Sequence, residues 1–276
     1  MNLTPIIPLL IILVIVFYLV NNISKLTTLK ENIVFLDKIA VIMHVGNINV
    51  FREILIEYPN FFNNNEIDLY FSCNNRETFD KLKDLFPESK VFKYENKGMD
   101  IGPFLLIIKY LIQNNANYKY YIKLHTKTIK KWRDGLIYPL YDKLNYFLND
   151  KLPSTTIELY GSKNMTLNRQ FEMNYIPVLN IIDRNYKKYE SKFLKYCSST
   201  SNNYDNCEPT PSFVGGTIFV FNDKYFDIFK EIKSIDYEYS ILEPGYIIND
   251  QPRNTHAWEY LFGYIVYLNN EKIKTI

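Results

Sequence analysis

The stretch of sequence that decides the fold is residues 93–133, which reads KYENKGMDIGPFLLIIKYLIQNNANYKYYIKLHTKTIKKWR. Residues 101–111 are apolar on nearly every side, and this pattern predicts a buried helix. Residues 118–124, YKYYIKL, have the composition of a strand inside a sheet. The strand would deliver residues 125–127 to the carboxyl edge of the sheet, where open α/β sheets bind their ligands. The stretch therefore predicts a turn, a helix and a strand, with polar groups at both ends of the unit.

The start of this helix has its own signals. Pro103 falls in the first turn, where its missing N–H costs nothing, and Asp100 is the predicted N-cap. A helix N-terminus offers free N–H groups and a partial positive charge, so we expect this one to favour a phosphate group.

The chain upstream of this stretch alternates between strand and helix patterns. Apolar runs typical of buried parallel strands occupy residues 38–45, 67–73 and 90–94, and helical spacing occupies residues 50–58 and 76–86. With the central stretch, the order is β-α-β-α-β-α-β, for which a parallel sheet with right-handed crossovers is expected.

The second half is less regular. Helices are predicted over residues 135–148, 177–196 and 255–268, and a strand over 156–160. Residues 212–222 predict a return to the sheet, with two glycines where a backbone or a ligand comes close. Asp223 is the expected cap of a helix that reaches Ile232.

The N-terminus predicts a membrane anchor. Leu3 to Val20 is an apolar run of about 27 Å as a helix, close to the thickness of a hydrocarbon core. A cleavable signal peptide is the alternative, but the start lacks Lys and Arg, and a small-residue cleavage site is missing. The predicted organisation is an anchor at 1–24, a linker at 25–37 and one α/β domain at 38–276, with halves 38–133 and 134–276.

The sequence does not decide on which side of the membrane the α/β domain lies. Lys25 and Lys30 follow the span, which favours a cytosolic domain by the positive-inside rule. The alternative is a domain on the lumenal side behind such an anchor. Cys197 and Cys207 bracket a polar loop and would be able to pair in an oxidising compartment.

Composition and motifs exclude several function classes. The net charge is +2 and the chain has no basic stripe, so a nucleic-acid partner is not expected. Neither GxxxxGK[ST] nor GxSxG occurs, which excludes a P-loop and a serine hydrolase elbow. The sequence gives no indication of an oligomeric state.

Five blocks in order resemble one family: IAVIMHVGN (39–47), NKGMDIGPFL (96–105), KLHTK with WR (123–127, 132–133), FVGGTIFVFN (213–222) and THAWEYLFGY (255–264). They are similar to the rhamnan synthesis protein F family, glycosyltransferases of bacterial polysaccharide assembly. The resemblance implies a GT-A-like, Rossmann-type sheet flanked by helices, a nucleotide-sugar donor and a glycan acceptor. Rhamnose is implied only by the family's name.

The resemblance also implies a set of donor-binding residues. The chain has 3 His, and each falls in one of these blocks. Residues expected to bind the nucleotide sugar are His44, Asn96, Gly98, Asp100, His125, Thr126, Lys127, Arg133, Gly215, Gly216 and Thr217. For Asn96 and Asp100 the alternative is turn and cap chemistry, with Gly98 permitting the turn.

Metal-dependent GT-A transferases carry an Asp-x-Asp pair after the corresponding strand, whereas this chain has His125, Thr126 and Lys127. Hard cations prefer carboxylate oxygens, so we hypothesise transfer without a bound metal and expect no cofactor. Lys127, with Lys130, Lys131 and Arg133 nearby, would neutralise the diphosphate; one contact at about 4 Å contributes roughly 4 kcal/mol before desolvation. The alternative is a solvated basic loop.

The predicted catalytic residues lie near the C-terminus. Glu259 is the expected base for the acceptor hydroxyl, with His256 one helical turn away on the same face. Asp250 and Arg253 are the reserve base and phosphate clamp. The family usually has Arg where this chain has Tyr260, which weakens any charge pairing there, and the helix is also a plausible packing element.

Three function classes remain after this reasoning. The first is a membrane-anchored glycosyltransferase. The second is a catalytically degenerate protein of the same fold that binds glycans or nucleotide sugars. The third is an anchored structural protein, for which no nucleotide affinity is expected.

Overall fold

A seven-stranded, mostly parallel sheet forms the centre of the protein. The computed structural model describes residues 38–168, 175–197, 212–245 and 253–276. The strands are β1 (Ile39–His44), β2 (Ile67–Cys73), β3 (Lys90–Lys93), β4 (Tyr120–His125), β5 (Leu159–Gly161), β6 (Thr166–Asn168), β7 (Ser212–Val214), β8 (Phe219–Asn222) and β9 (Lys274–Thr275). Helices flank this sheet, so the fold is α/β and Rossmann-like, as predicted.

The helices are α1 (Ile48–Glu57), α2 (Arg76–Leu85), α3 (Ile101–Gln113), α4 (Lys130–Asp142), α5 (Leu144–Asn149), α6 (Tyr175–Asn185), α7 (Glu190–Cys197), α8 (Asp223–Phe229), α9 (Ile235–Ser240) and α10 (Asn254–Leu268). Short 3₁₀ turns occur at Pro59–Phe61, Lys163–Met165 and Lys187–Tyr189.

The strand order creates one switch point. The order across the sheet is β3-β2-β1-β4-β8-β5-β9, and β8 alone runs against its neighbours. From β1 the chain proceeds outward to β2 and β3, and it then returns to place β4 on the other side of β1. Ligands of open α/β sheets bind at the carboxyl edge where the order reverses. The β1–β4 boundary is that position, and the register there sets His44 beside His125.

The core is built on α3 and α10, the two helices that the apolar pattern marks as buried. The ring of Phe104, in α3, meets the rings of Phe219, Phe221, Phe229 and Phe262 edge-on at centroid distances of 5.6 to 6.4 Å. Such geometry suits aromatic rings and adds to the burial of their area. The second half of the sheet is thereby packed against the first through α3.

Several predicted elements of the second half differ from the structure. The predicted helix 135–148 begins earlier and is two helices, α4 and α5, which meet at Lys143. The predicted helix 177–196 is α6 and α7 with a 3₁₀ turn between them. Residues 212–222 form two strands, because β7 pairs with β6 in a separate sheet and only β8 joins the main sheet. The predicted strand 156–160 is displaced toward the C-terminus, to β5.

One predicted N-cap, Asp223, is wrong, and the other, Asp100, is correct in position only. The cap of α8 is Asn222, whose Oδ1 accepts from Tyr225 N at 2.9 Å, so Asp223 is instead the first helical residue. The Asp100 side chain makes no capping hydrogen bond, because its carboxylate is engaged elsewhere.

Part of the predicted organisation lies outside the described residues. This holds for the anchor at 1–24 and the linker at 25–37, and for Cys207 with the side chain of its predicted partner Cys197. Within the described ranges, every helix is too short or too polar to cross a membrane.

Candidate functional site

A cleft of about 590 Å³ opens at the carboxyl edge of the sheet, over the switch point. The ends of β1 and β4, the starts of α3 and α10, and the turn between β7 and β8 all contribute to it. Ten of the predicted site residues line it: His44, Asn96, Asp100, His125, Thr126, Lys127, Gly216, Thr217, His256 and Glu259. Residues from five distant blocks of sequence are thus brought to one place.

The histidines at the ends of β1 and β4 are held by hydrogen bonds. His125 donates from Nε2 to the Gly216 carbonyl at 2.7 Å, and His44 Nδ1 lies 3.1 Å from Ser72 Oγ. Burial lowers the pKa of both imidazoles, that of His44 to about 4. Both rings are therefore neutral at neutral pH, and they shape the floor of the cleft without adding charge.

Thr126 holds the loop after β1. Its Oγ1 accepts from Gly46 N at 2.9 Å and from Asn47 N at 3.0 Å. Asn47 in turn caps α1 by accepting from Asn49 N and Val50 N. The hydroxyl thus fixes the β1–α1 loop against the end of β4, across the switch point.

A buried ion pair that the sequence did not predict lies beneath the cleft. Lys123 Nζ donates to Asp100 Oδ2 and, at 2.9 Å, to the Thr217 carbonyl. Thr217 Oγ1 also donates to Asp100 Oδ2, at 2.5 Å. The exposed side-chain fractions are 1% for Lys123 and 14% for Asp100, so the pair is largely removed from water.

Charge explains why this pair is stable as ions. Burial by itself raises the pKa of Asp100, but nearby positive charge and the hydrogen bonds from Lys123 and Thr217 outweigh it and lower the pKa overall. Burial lowers the pKa of Lys123, and the Asp100 carboxylate opposes that shift. Removing one partner would leave an uncompensated buried charge, which is far more costly than the pair itself.

Glu259 is a half-buried carboxylate that lines the cleft from α10. Its Oε1 accepts from Gly216 N at 2.7 Å. Within the described part of the chain, Oε2 has no hydrogen-bond donor and His256 makes no bond to this carboxylate, so the predicted pairing of the two side chains is not formed. Burial raises the pKa of Glu259, while burial lowers that of His256. A carboxylate with one oxygen fixed, one open and a raised pKa is suited to accept a proton.

Of the predicted cationic cluster, only Lys127 lines the cleft. Its ammonium lies 3.6 Å from the centre of the Trp132 ring, a cation–π contact. Arg133 is fully buried and donates to Glu53 Oε2 at 2.7 Å, away from the cleft. Lys130 is exposed and pairs with Glu57 and Asp134. The structure therefore does not bring Arg133 and Lys130 to the cleft beside Lys127.

The start of α3 has fewer free N–H groups than the predicted phosphate site assumes. The N–H groups of Ile101 and Gly102 both donate to the Gly98 carbonyl, at 2.9 and 3.3 Å, and Pro103 has none. The first turn is closed on itself because Gly98 and Met99 both adopt positive φ angles. The N–H groups of Ile101 and Gly102 are therefore already used.

Gly98 and Gly215, two of the predicted site residues, do not line the cleft. Gly98 donates from its N–H to the Glu243 carbonyl at 2.7 Å, and Gly215 donates to the Met165 carbonyl at 2.9 Å. Both glycines are packing positions next to the site. Asp250 lies outside the described residues, and Arg253, its reserve partner, is buried at the start of α10.

The described residues contain no group of three or more His, Cys, Asp or Glu side chains arranged to hold a metal ion. In comparisons with known proteins, no family model matches the chain, and no curated protein matches its sequence significantly.

Proposed function

We propose that the protein is a glycosyltransferase of GT-A-like fold that moves a sugar from a nucleotide-sugar donor to a glycan acceptor. The proposal includes a single-pass anchor at Leu3 to Val20, and it keeps the resemblance to the rhamnan synthesis F family as support. The observation that carries it is that the Glu259 carboxylate and the Lys127 ammonium line the same cleft over the switch point.

The chemistry assigns one task to each group. The acceptor hydroxyl gives its proton to Glu259 Oε2 as its oxygen bonds to the anomeric carbon of the donor. The bond between that carbon and the phosphate oxygen breaks, and the nucleoside diphosphate leaves with the electron pair. Lys127 stabilises the charge that develops on the leaving group.

One observation favours the second candidate, a binding protein of the same fold. The Gly216 N–H already donates to Glu259 Oε1, so the carboxylate has a structural role even if the protein is not an enzyme. Such a protein would bind the donor and leave it intact.

Two measurements separate these functions. A thermal-shift series with UDP, GDP and dTDP is expected to identify one binder, since a ligand at about 100 times its Kd adds roughly 2.7 kcal/mol. Release of nucleoside diphosphate from the matching donor sugar then identifies an enzyme, whereas binding without release identifies the binding protein. If none of the nucleotides stabilises the protein, both functions are refuted. An EDTA arm tests the metal hypothesis, which is wrong if EDTA abolishes activity and manganese restores it.

Lys127→Met is expected to weaken the donor interaction by about 10- to 150-fold in kcat/KM, because a hydrogen bond to a charged group contributes about 1.5–3 kcal/mol. Lys130→Met is the matched control on the same segment. Lys130 pairs only with carboxylates at the surface, so its loss should change kcat/KM by less than about twofold. Equal losses in the two variants would assign the effect to general surface charge and remove Lys127 from the site.

A further inference from the structure

A chain of contacts joins Lys123 to Glu259 through the turn between β7 and β8. At one end, Lys123 binds the Thr217 carbonyl and Asp100, and Asp100 binds the Thr217 hydroxyl. At the other end, the Gly216 N–H binds Glu259 Oε1. Lys123 does not line the cleft and therefore does not touch a ligand there. Its hydrogen bonds reach the site through the turn and through Asp100.

The turn needs this support because its backbone is strained. Gly216 and Thr217 adopt consecutive positive φ angles, 89° and 54°. For Thr, a β-branched residue, that conformation is a true outlier and persists only where surrounding contacts impose it. Two of the contacts on Thr217 depend on Lys123, which donates directly to its carbonyl and supports its hydroxyl contact through Asp100.

We propose that Lys123 is a positioning residue for Glu259: its ammonium fixes the turn at residues 215–217, and the turn fixes one carboxylate oxygen so that the other faces the cleft. This role rests on the proposed function where it concerns turnover. The contacts themselves are testable without any substrate.

The charges around Glu259 support the same role. Burial raises the pKa of this carboxyl, Asp100 at the start of α3 raises it further, and the Gly216 N–H, Lys127 and Lys123 lower it. His256, one turn earlier on α10, is neutral near pH 7 because burial lowers its pKa. Lys123 and Asp100 thus shift the pKa of Glu259 in opposite directions.

The test is NMR titration of the full chain with ¹³C-labelled Glu carboxyls and ¹⁵N backbone amides. Glu259→Gln identifies the Glu259 signal by its loss. In the wild type, the Gly216 amide shift should follow the Glu259 titration, since its N–H donates to that carboxylate. Lys123→Met should raise the pKa of Glu259 and uncouple the Gly216 amide from it, whereas Asp100→Asn should lower that pKa. Lys123→Arg should restore the wild-type behaviour.

Lys119→Met is the matched control. Lys119 is a second buried lysine, just before the same strand, and donates to Ser154 Oγ at 2.6 Å at the opposite edge of the sheet. Its removal should leave the Glu259 titration and the Gly216 amide unchanged. The proposal is overturned if Lys119→Met and Lys123→Met have the same effect, or if neither Lys123→Met nor Asp100→Asn moves the titration. Where Lys123→Met does not fold, Asp100→Asn and Lys123→Arg decide.

Turnover supplies a separate readout. With an active donor, Lys123→Met should lower kcat while the donor KM stays within about twofold, because Lys123 acts on the base and not on the ligand. The acid limb of the pH–rate profile should move to higher pH in Lys123→Met and to lower pH in Asp100→Asn. Absence of turnover with intact NMR coupling would refute the transferase and leave the positioning role standing. If the protein turns over its donor but the acid limb does not shift in either variant, the positioning role is refuted and the transferase is not.

Discussion

Glu259→Gln is expected to reduce the rate of sugar transfer by about 10²- to 10⁴-fold, the usual contribution of a general base. The amide has the shape of the carboxylate, and its carbonyl oxygen can still accept the Gly216 N–H, so the turn should keep its conformation. What is lost is the ability of the second oxygen to take a proton. Initial rates of nucleoside diphosphate release, measured with the matching acceptor, give the result, and donor affinity should be unchanged.

The pH dependence of the wild type provides a second check. Burial raises the pKa of Glu259 above its ordinary value of 4.5, so the rate should rise with pH through an acid limb that lies above that value. A group with a raised folded-state pKa contributes stability below its unfolded pKa and loses that contribution as pH rises through the folded one. The stability of the wild type should therefore fall relative to Glu259→Gln as the pH increases through the limb. This holds whether or not a donor is known.

His256→Asn is the comparison within the same helix. Among the described residues the Glu259 carboxylate bonds to Gly216 and not to His256, so this variant should lose less than about tenfold in rate. If His256→Asn is as inactive as Glu259→Gln, the histidine acts directly on a substrate. If Glu259→Gln retains full activity, the base lies elsewhere, and the packing role of α10 is the whole of its function.

The first half of the fold could be predicted from sequence because each of its signals is local. β2 occupies the predicted residues 67–73, and α3 extends the predicted 101–111 by only two residues. Buried parallel strands appear as continuous apolar runs, and buried helices have apolar residues all round, so both can be recognised without a partner.

The second half could not be predicted to the same degree because long-range packing decides it. The chain turns at Lys143 without a Pro or Gly at that residue, and the new helix α5 buries Leu144, Phe147 and Leu148. Helical spacing is nearly continuous through the break, so the pattern predicts one helix. Similarly, the glycines at 215 and 216 signal a close approach correctly, but positive φ angles at Gly216 and Thr217 divide the segment into two strands.

The candidate site also has features that the sequence predicts and features that it does not. Its location followed from the rule that ligands bind where parallel strands end, and the ten predicted residues that line the cleft followed from the resemblance. Lys123 was missed, although alternation along β4 puts it on the same face as His125 and Tyr121, and a lysine in the middle of a buried strand requires a buried partner. The loss of free donors at the α3 N-terminus could not be predicted either, because the Gly98 carbonyl accepts the N–H groups of Ile101 and Gly102 and no sequence pattern indicates that.

Gly102→Ala adds one methyl group near the site, and we expect it to be the most destabilising such substitution there. A Cβ at residue 102 would lie 2.0 Å from the Lys97 carbonyl oxygen and 3.1 Å from the Tyr239 ring. The obstacle is backbone, in the turn that carries Asn96 and Asp100, so it cannot rotate away as a side chain would. Overpacking a well-packed position costs about 1–3 kcal/mol, and this clash belongs at the upper end. For a domain of this size, about 3 kcal/mol lowers Tm by roughly 6–12 °C.

Gly135→Ala is the matched control because it is the same substitution inside another helix, α4. There a Cβ would meet only the flexible end of Met165, at 3.2 Å, and Ala is favoured over Gly in helix interiors by about 1 kcal/mol. That variant should be as stable as the wild type or up to about 1 kcal/mol more stable by chemical denaturation. Because the turn before α3 presents Asn96 and Asp100 to the cleft, Gly102→Ala should also weaken nucleotide binding at temperatures where it is folded. Equal stability of the two variants would mean that α3 does not approach the turn closely, and the position of Asp100 against Lys123 would then need another cause.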